Sequence, residues 1–273
     1  MIENKEIMPA MFIGHGSPMN AIEKNEFSLN WAKVAKTIPT PKAILCISAH
    51  FETGGTYITA NDEPKTIHDF GGFPKALFDF QYPAKGSSDL VTRVKAVVTS
   101  TKVNSSKEWG LDHGSWSVLA HLYPKANIPV VQLSMDYTKD AEFHFRIGQE
   151  LKELRKEGVL IIGSGNIVHN FEYLEYGKPF EATAIQQWAT EADEKLRDEI
   201  QRRDFEEIIN YRNFQLYRLA APTPEHFLPL LYILGCLDEE EKVEFFNTKV
   251  VGGAFSMTSF ITRLICSGGD ENP

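Results

Sequence analysis

Short apolar segments rich in β-branched residues alternate with longer segments of helical periodicity along almost the whole chain. Repeated strand–helix units build a sheet with helices packed on both of its faces. The pattern therefore predicts an α/β fold, a three-layer α/β/α single domain around a largely parallel or mixed central sheet. Because the sequence has no repeat, low-complexity tract or linker, we expect this domain to span residues 1–273.

The predicted elements follow from these patterns. Strands are expected at residues 8–13, 43–49, 57–60, 128–133, 159–163, 248–251 and 255–262. Helices are expected at residues 21–36, 89–99, 116–122, 140–156, 182–209 with a break near 203–204, and 224–235.

The charge and the cysteines limit the class of protein. The chain has 37 acidic and 28 basic residues and a net charge of −9, whereas nucleic acids and anionic membranes bind basic surfaces. No apolar segment approaches the roughly 20 residues of a membrane span, and the first residues lack the pattern of a signal peptide. Cys46, Cys236 and Cys266 form no paired framework. We therefore expect a cytoplasmic protein with no nucleic-acid or membrane partner.

Three histidines come at or just after the ends of predicted strands. His15 follows the first strand, His50 ends the second and His169 follows the fifth. The carboxyl ends of parallel strands share one edge of the sheet, and ligands bind at that edge in open α/β folds. We therefore expect these side chains on one rim, although a single histidine after a strand is more often a hydrogen-bonded structural residue.

Two further histidines are candidates for the same rim. His226 lies in the first turn of the predicted helix 224–235, where the Thr-Pro-Glu sequence is typical of a helix start. His113 lies in a turn before the predicted helix 116–122. A set of imidazoles with no nearby thiolate suits zinc, Fe(II), copper or nickel and disfavours magnesium and calcium.

The other polar motifs carry less weight. We expect structural roles for His121, which lies beside leucines on a helix, and for His144, which lies on a charged helical face. Ser17 in GHGSP is a poor candidate nucleophile because the motif is not the GxSxG elbow of a hydrolase. The glycine turn at 163–166 is a weak candidate phosphate site.

Six motifs occur in an order that is specific to one family. They are GHGSP at 14–18, ISAHFE at 47–52, TIHDFGGFP at 66–74, LDHGSW at 111–116, GSGNIVHN at 163–170 and PTPEHFLPL at 222–230. Together they closely resemble the class III extradiol ring-cleavage dioxygenases of the LigB-like superfamily, nearest to the DOPA 4,5-dioxygenase type. The resemblance runs from about residue 10 to the end of the chain.

The resemblance implies a three-layer α/β/α fold and one divalent non-haem metal. The wider superfamily uses two histidines and a glutamate as ligands, and in the DOPA-type branch a histidine replaces the carboxylate. His15, His50 and His226 match the ligands. His169 matches the catalytic acid/base and lies where it can become a fourth ligand when zinc is bound. His113 matches a second catalytic histidine, which contacts substrate or dioxygen.

The implied activity is extradiol ring opening of a catechol such as DOPA with O2 to give a muconic semialdehyde. The active enzyme would hold Fe(II), whereas zinc can occupy the same site but has no redox chemistry. Two alternatives stay open on the residues alone: a zinc-dependent hydrolase with His169 as base, and a non-catalytic metal-binding scaffold. The sequence leaves the oligomeric state open.

The irregular segment 61–88 is the candidate substrate loop. It is rich in glycine, proline and aromatic residues, and a loop this long is more often functional than idle. We expect His68 and Phe73, together with Trp116 and His113, to form the wall of the substrate pocket. The alternative is a well-packed surface loop. His68 departs from the family, whose members commonly carry tyrosine there, and this puts the substrate preference in doubt.

Overall fold

The computed structural model describes residues 7–175 and 180–265. Its strands, in chain order, are β1 (Ala10–Gly14), β2 (Ala43–Thr53), β3 (Thr56–Thr59), β4 (Val103–Ser106), β5 (Val130–Asp136), β6 (Val159–Gly165), β7 (Glu241–Phe246), β8 (Val250–Val251), β9 (Phe255–Ser256) and β10 (Ser259–Leu264). Its α-helices are α1 (Glu26–Ala35), α2 (Lys75–Phe78), α3 (Ser88–Val97), α4 (His113–Leu122), α5 (Ala141–Leu151), α6 (Gln187–Arg202), α7 (Phe205–Ile209), α8 (Gln215–Ala220) and α9 (Leu228–Gly235).

The central sheet is mixed. Its eight strands lie in the order β4-β3-β5-β2-β6-β1-β10-β7. The four central strands β5, β2, β6 and β1 run parallel to one another, whereas β10 is antiparallel to β1 and to β7. On the other side β3 is antiparallel to β5 and parallel to β4. The predicted α/β fold with a largely parallel or mixed sheet is confirmed.

Both faces of the sheet are buried. Along β1, Ala10 and Phe12 belong to one hydrophobic core, and Met11 and Ile13 belong to the other. Strands that are buried on both faces need continuous apolar sequences, and the parallel strands have them. Helices α3, α5, α6, α8 and α9 contribute side chains to the first core, and α1 and α4 contribute to the second. The three predicted layers follow from this arrangement.

Three helices begin several residues later than predicted, and the first two are α1 and α6. The helix expected at 21–36 begins at Glu26, because the Asn25 side chain accepts the N–H of Ser28 while the Ser28 hydroxyl accepts the N–H of Asn25. This capping box sets the helix start. The helix expected at 182–209 begins at Gln187.

The last predicted helix also needs correction. The prediction of residues 224–235 places His226 in the first helical turn, but α9 begins at Leu228. Thr223 does not cap it, because its hydroxyl donates to the Glu225 carboxylate at 2.7 Å. His226 therefore lies in a turn before the helix.

Several short elements escape prediction. β4 has the sequence VNSS, and its four residues include one apolar side chain; β7, α2 and α8 have six residues or fewer. The strand expected at 255–262 is divided into β9 and β10. The break between α6 and α7 is confirmed at Arg203, which adopts a left-handed φ of 63°.

The described cysteines are unpaired, and no described helix could span a membrane. Cys46 and Cys236 are free and buried, whereas Cys266 lies outside the described residues. Across residues 7–175 and 180–265, no helix combines the length and apolar character that crossing a bilayer requires.

Candidate active site

Five histidines meet at one edge of the sheet, and the predicted strand ends led to three of them. The second strand is longer than predicted, because β2 continues past His50 to Thr53. His15 follows β1, His50 lies within β2, and His169 follows β6. His113 was predicted in a turn but is the first residue of α4, which begins three residues earlier than expected because Asp112 caps it. His226 lies in the turn before α9. The five come from distant parts of the chain, so the sheet topology brings them together.

The rings form a compact cluster. The ring centroids of His15, His50 and His226 form a nearly equilateral triangle with sides of 5.1, 5.2 and 5.3 Å. His113 packs against His50 at 3.8 Å, and His169 stacks on His226 at 3.5 Å. By the spacing of their ligand atoms, within 4.8 Å of one another, the residues divide into two potential metal-binding groups: His15, His50 and His113, and His169, Glu225 and His226.

Two glycines allow the backbone to approach this closely. Gly16 has a φ of 60°, a left-handed conformation that turns the chain immediately after His15. A Cβ atom on Gly165 would lie 2.2 Å from the carbonyl oxygen of His226. The turn that carries His226 can therefore lie directly against the end of β6, where the N–H of Asn166 donates to the His226 carbonyl at 2.8 Å.

Hydrogen bonds fix the tautomers of two of these imidazoles. The Ser164 hydroxyl donates its single proton to the carbonyl of Gly114, so it must accept from His15 Nδ1, which lies 3.0 Å away. His226 Nδ1 lies 3.2 Å from the Glu225 carboxylate and donates to it. Both rings therefore carry the proton on Nδ1 and a lone pair on Nε2.

Asp69 has the same effect on His50. Its Oδ2 atom lies 3.4 Å from His50 Nδ1, and a carboxylate oxygen at this distance favours the proton on that nitrogen. The Nε2 atoms of His50 and His15, 3.3 Å apart, then face each other with lone pairs. Two lone pairs at this distance repel, and a cation between the rings removes the repulsion. The donor set thus fits a divalent metal with imidazole ligands.

Burial keeps the imidazoles of His15, His50, His169 and His226 uncharged at neutral pH. Burial, reinforced by the neighbouring histidines, holds the pKa values of His15 and His226 well below the usual value for histidine. Burial also lowers the pKa of His50 to about 3 and that of His169 to about 4. Neutral imidazole is the form that binds metals, so the side chains need no deprotonation at neutral pH.

The candidate substrate loop lies beside the cluster. Phe70 is the loop residue whose ring approaches His113, with centroids 5.4 Å apart, and Phe73 packs on Phe70 at 5.3 Å. His68 is turned into the loop, where its Nε2 atom contacts the carbonyl of Phe80 at 3.0 Å.

Trp116 lies beneath this loop. It is fully buried, its indole N–H donates to the carbonyl of Ile67 at 2.8 Å, and its ring lies 5.6 Å from that of His68. It therefore supports the loop from below.

The sequence analysis missed the acceptors around the imidazoles, Ser164, Asp69 and Glu225. Asp69 and Glu225 each stand next to a histidine in the sequence, in IHDF and PEHF, which is the one local signal that could have indicated them. The placement of His144 on a charged helical face was wrong. His144 is fully buried and its Nδ1 atom contacts the Tyr232 hydroxyl at 2.9 Å.

Residues 9–259 match the family described as the catalytic LigB subunit of aromatic ring-opening dioxygenase. The chain belongs to this family. Over 259 residues it is 44% identical to 4,5-DOPA dioxygenase extradiol of Escherichia coli (strain K12), covering 92% of this chain and 93% of that protein. The enzyme of the same name from Beta vulgaris is 38% identical over 262 residues, which cover 93% and 96% of the two chains.

A solved structure supports the same membership. The crystal structure of an uncharacterised Escherichia coli K12 protein superposes with a TM-score of 0.81 at 38% sequence identity, covering 93% of this chain and 99% of that chain. Together with the LigB-family match, these relatives confirm the prediction of an extradiol, aromatic ring-cleaving dioxygenase. Membership of the family also implies a metal-dependent reaction between a small aromatic molecule and O2.

Proposed function

We propose that this dioxygenase opens the ring of a catechol such as DOPA with O2 to give a muconic semialdehyde, and that residues 1–273 form one catalytic domain. The observation that carries the proposal is the set of imidazoles of His15, His50 and His226, the first and last buried and the second half-buried, each with its Nδ1 atom facing an acceptor. Three neutral donors that converge in this way favour one divalent metal with open positions for further ligands. The relatives named for DOPA support the substrate class.

In this proposal His15, His50 and His226 hold the metal. When bound, the metal would hold both oxygens of the catechol, and as Fe(II) it would exchange electrons with O2, which zinc cannot do. His226 is preferred to His113 as the third ligand because of the spacing of the rings. The ring centroids of His15, His50 and His226 are nearly equidistant. The His113 ring, in contrast, lies 3.8 Å from that of His50 and 5.8 Å from that of His15.

His169 is proposed as the acid/base. Burial lowers its pKa to about 4, so it is neutral at pH 7 and can accept the proton of a catechol hydroxyl. Its ring is held by the stacked His226 ring and by the edges of Phe171 and Phe255, at 4.8 and 5.0 Å. We also propose that His169 becomes a fourth ligand when zinc is bound, because its ligand atom lies within 4.8 Å of that of His226.

His113 and the loop are proposed to bind the substrate. His113 Nδ1 lies 3.0 Å from Asp69, which leaves its Nε2 atom free to accept a hydrogen bond from a catechol hydroxyl. Phe73 and His68 would contact the ring substituent, and Trp116 would act by supporting the loop, since it is fully buried. We also propose a cytoplasmic location, supported by the free, buried Cys46 and Cys236.

The deciding experiment is anaerobic reconstitution with Fe(II), followed by air and a panel of catechols. We expect O2 uptake equimolar with substrate and a yellow product, with neither from the zinc-loaded protein. The hydrolase and scaffold alternatives require no O2. If the iron-loaded protein consumes no O2 with any catechol of the panel, the proposed function is wrong.

A further inference from the structure

Asp69 reaches from the 61–88 loop into the histidine cluster and contacts two imidazoles at once. Its Oδ2 atom lies 3.4 Å from His50 Nδ1 and 3.0 Å from His113 Nδ1. Its Oδ1 atom accepts the backbone N–H of His113 at 3.0 Å. The side chain is 16% exposed, so these contacts are shielded from water.

The contacts determine which nitrogens carry protons. A carboxylate offers acceptors and no donor, so both Nδ1 atoms that face Asp69 carry their protons. The Nε2 atoms of His50 and His113 are then free, one to bind a metal and the other to accept from a substrate hydroxyl. An asparagine with its amide oxygen in the place of Oδ2 would turn its amide nitrogen, a donor, toward the backbone N–H of His113 and would lack the negative charge.

The two other acceptors at the site have narrower roles. Ser164 contacts His15, and Glu225 contacts His226. Among these three acceptors, Asp69 alone contacts a proposed ligand together with the proposed substrate-binding histidine. It also belongs to the loop that carries Phe70 and Phe73 to the cluster.

We propose that Asp69 is a positioning residue that orients His50 as a metal ligand and His113 as a substrate acceptor, and so couples the 61–88 loop to the metal centre. The proposal rests on the proposed function. It predicts that one change at Asp69 weakens metal binding and catechol binding together, through two different histidines.

The first test is zinc affinity, measured by competition with a chromophoric chelator. Removing the acceptor of a ligating histidine commonly costs about 10–100-fold in metal affinity. We expect a loss of zinc affinity of this size for Asp69→Asn, which affects the ligand His50. We expect a similar loss for Glu225→Gln, which affects the ligand His226. Asp79→Asn is the matched control, because Asp79 lies in the same loop but is 60% exposed and pairs with Lys75. It should bind zinc like the wild type.

The second test is a double-mutant cycle on catechol binding to the zinc-saturated protein, measured by calorimetry without turnover. Asp69→Asn should weaken binding about tenfold, since the charge that holds the His113 proton on Nδ1 is lost and Nε2 is then less available to accept from the catechol. If Asp69 acts through His113, the double variant Asp69→Asn/His113→Ala should bind catechol almost as tightly as His113→Ala alone. Additive losses would show that Asp69 does not act through His113.

A further variant separates positioning from folding. Asp69→Glu keeps the carboxylate and moves it by one methylene, so it should recover part of the zinc affinity that Asp69→Asn loses. If Asp69→Asn fails to fold, Asp69→Glu is compared with Asp79→Asn instead. A zinc affinity of Asp69→Asn equal to that of Asp79→Asn would overturn the proposal, and the same result for Asp69→Glu would overturn it where Asp69→Asn does not fold. Because both tests use zinc without turnover, their outcome does not depend on whether the iron form opens a ring.

Discussion

The rings of His169 and His226 stack face to face, with centroids 3.5 Å apart and planes within 6° of parallel. Two charged imidazoles at this separation would repel each other, and burial lowers the pKa of both rings so that neither is charged. The stack therefore fixes the plane of the proposed acid/base against one proposed ligand. A catechol bound beside these rings would therefore meet a His169 imidazole of fixed orientation.

The ligand set can be tested by substitution. Replacing His15, His50 or His226 by alanine should remove most of the bound metal, because each supplies one of three neutral donors. Metal per chain after dialysis is the measurement. His121→Ala is the control, since His121 lies outside the cluster and contacts the carbonyl of Asn20. Full metal in all three cluster variants would mean that other residues hold the metal.

His169 should affect turnover more than metal content. We expect His169→Ala to retain Fe(II) and to lose about 10²–10⁴-fold in kcat, the usual contribution of a general acid/base. Iron content and O2 uptake are measured on the same sample. Turnover within a few-fold of the wild type would exclude the acid/base role, and loss of iron would make His169 an essential ligand.

His68 should influence substrate choice. His68→Tyr replaces a ring nitrogen that contacts the Phe80 carbonyl at 3.0 Å with a longer phenol. A hydrogen bond gained or lost at a buried polar group is worth about 1–3 kcal/mol, so the ratio of kcat/KM for DOPA to that for unsubstituted catechol should change roughly tenfold. An unchanged ratio, with metal content intact, would indicate that His68 only stabilises the loop.

His144 should make stability depend on pH. Burial, opposed in part by Asp136 and Asp140, lowers its pKa to about 4, whereas the unfolded chain titrates near 6.5. Between these values the unfolded chain takes up the proton and the folded chain does not. The free energy of unfolding should therefore fall as the pH drops from 7 to 4, by up to roughly 3 kcal/mol from this residue.

His144→Gln isolates this contribution, because glutamine can still hydrogen-bond the Tyr232 hydroxyl and does not titrate. Denaturant unfolding of both proteins at pH 7 and pH 4.5 gives the comparison. The variant should lose less stability than the wild type on acidification. An equal loss in the two proteins would contradict the assignment.

The buried ion pair of Arg155 and Glu241 should dominate stability at the β7 edge. Their side chains are 0% and 2% exposed, and Arg155 also donates to the carbonyl of Met8 at 2.7 Å. Glu241→Gln leaves the guanidinium buried without a counter-charge, so the free energy of unfolding should fall by about 3–5 kcal/mol. Glu153→Gln is the control, because Glu153 pairs with Lys156 while 55% exposed. Similar unfolding curves for the two variants would refute this role.

The sequence determined the fold class and the rim on which the histidines meet. Alternating strand and helix patterns specify parallel strands, and such strands end at one edge, so His15, His50 and His169 were expected on one rim. Local patterns failed where long-range contacts decided the outcome. Helix α9 begins at Leu228 and not at residue 224. His144 is buried in part by Tyr232, which belongs to α9 and contacts the His144 ring.

The tertiary structure decided which nitrogen of each imidazole is free. Ser164, Asp69 and Glu225 supply the acceptors for His15, His50 and His226. Ser164 is distant in sequence from His15, and Asp69 belongs to the 61–88 loop, whereas His50 lies within β2. No sequence periodicity relates either acceptor to the ring that it contacts. The residue types of a metal site can therefore be read locally, because a strand end is a local feature. The proton positions cannot, because a hydrogen bond depends on separations of about 3 Å between segments that meet only in the folded chain.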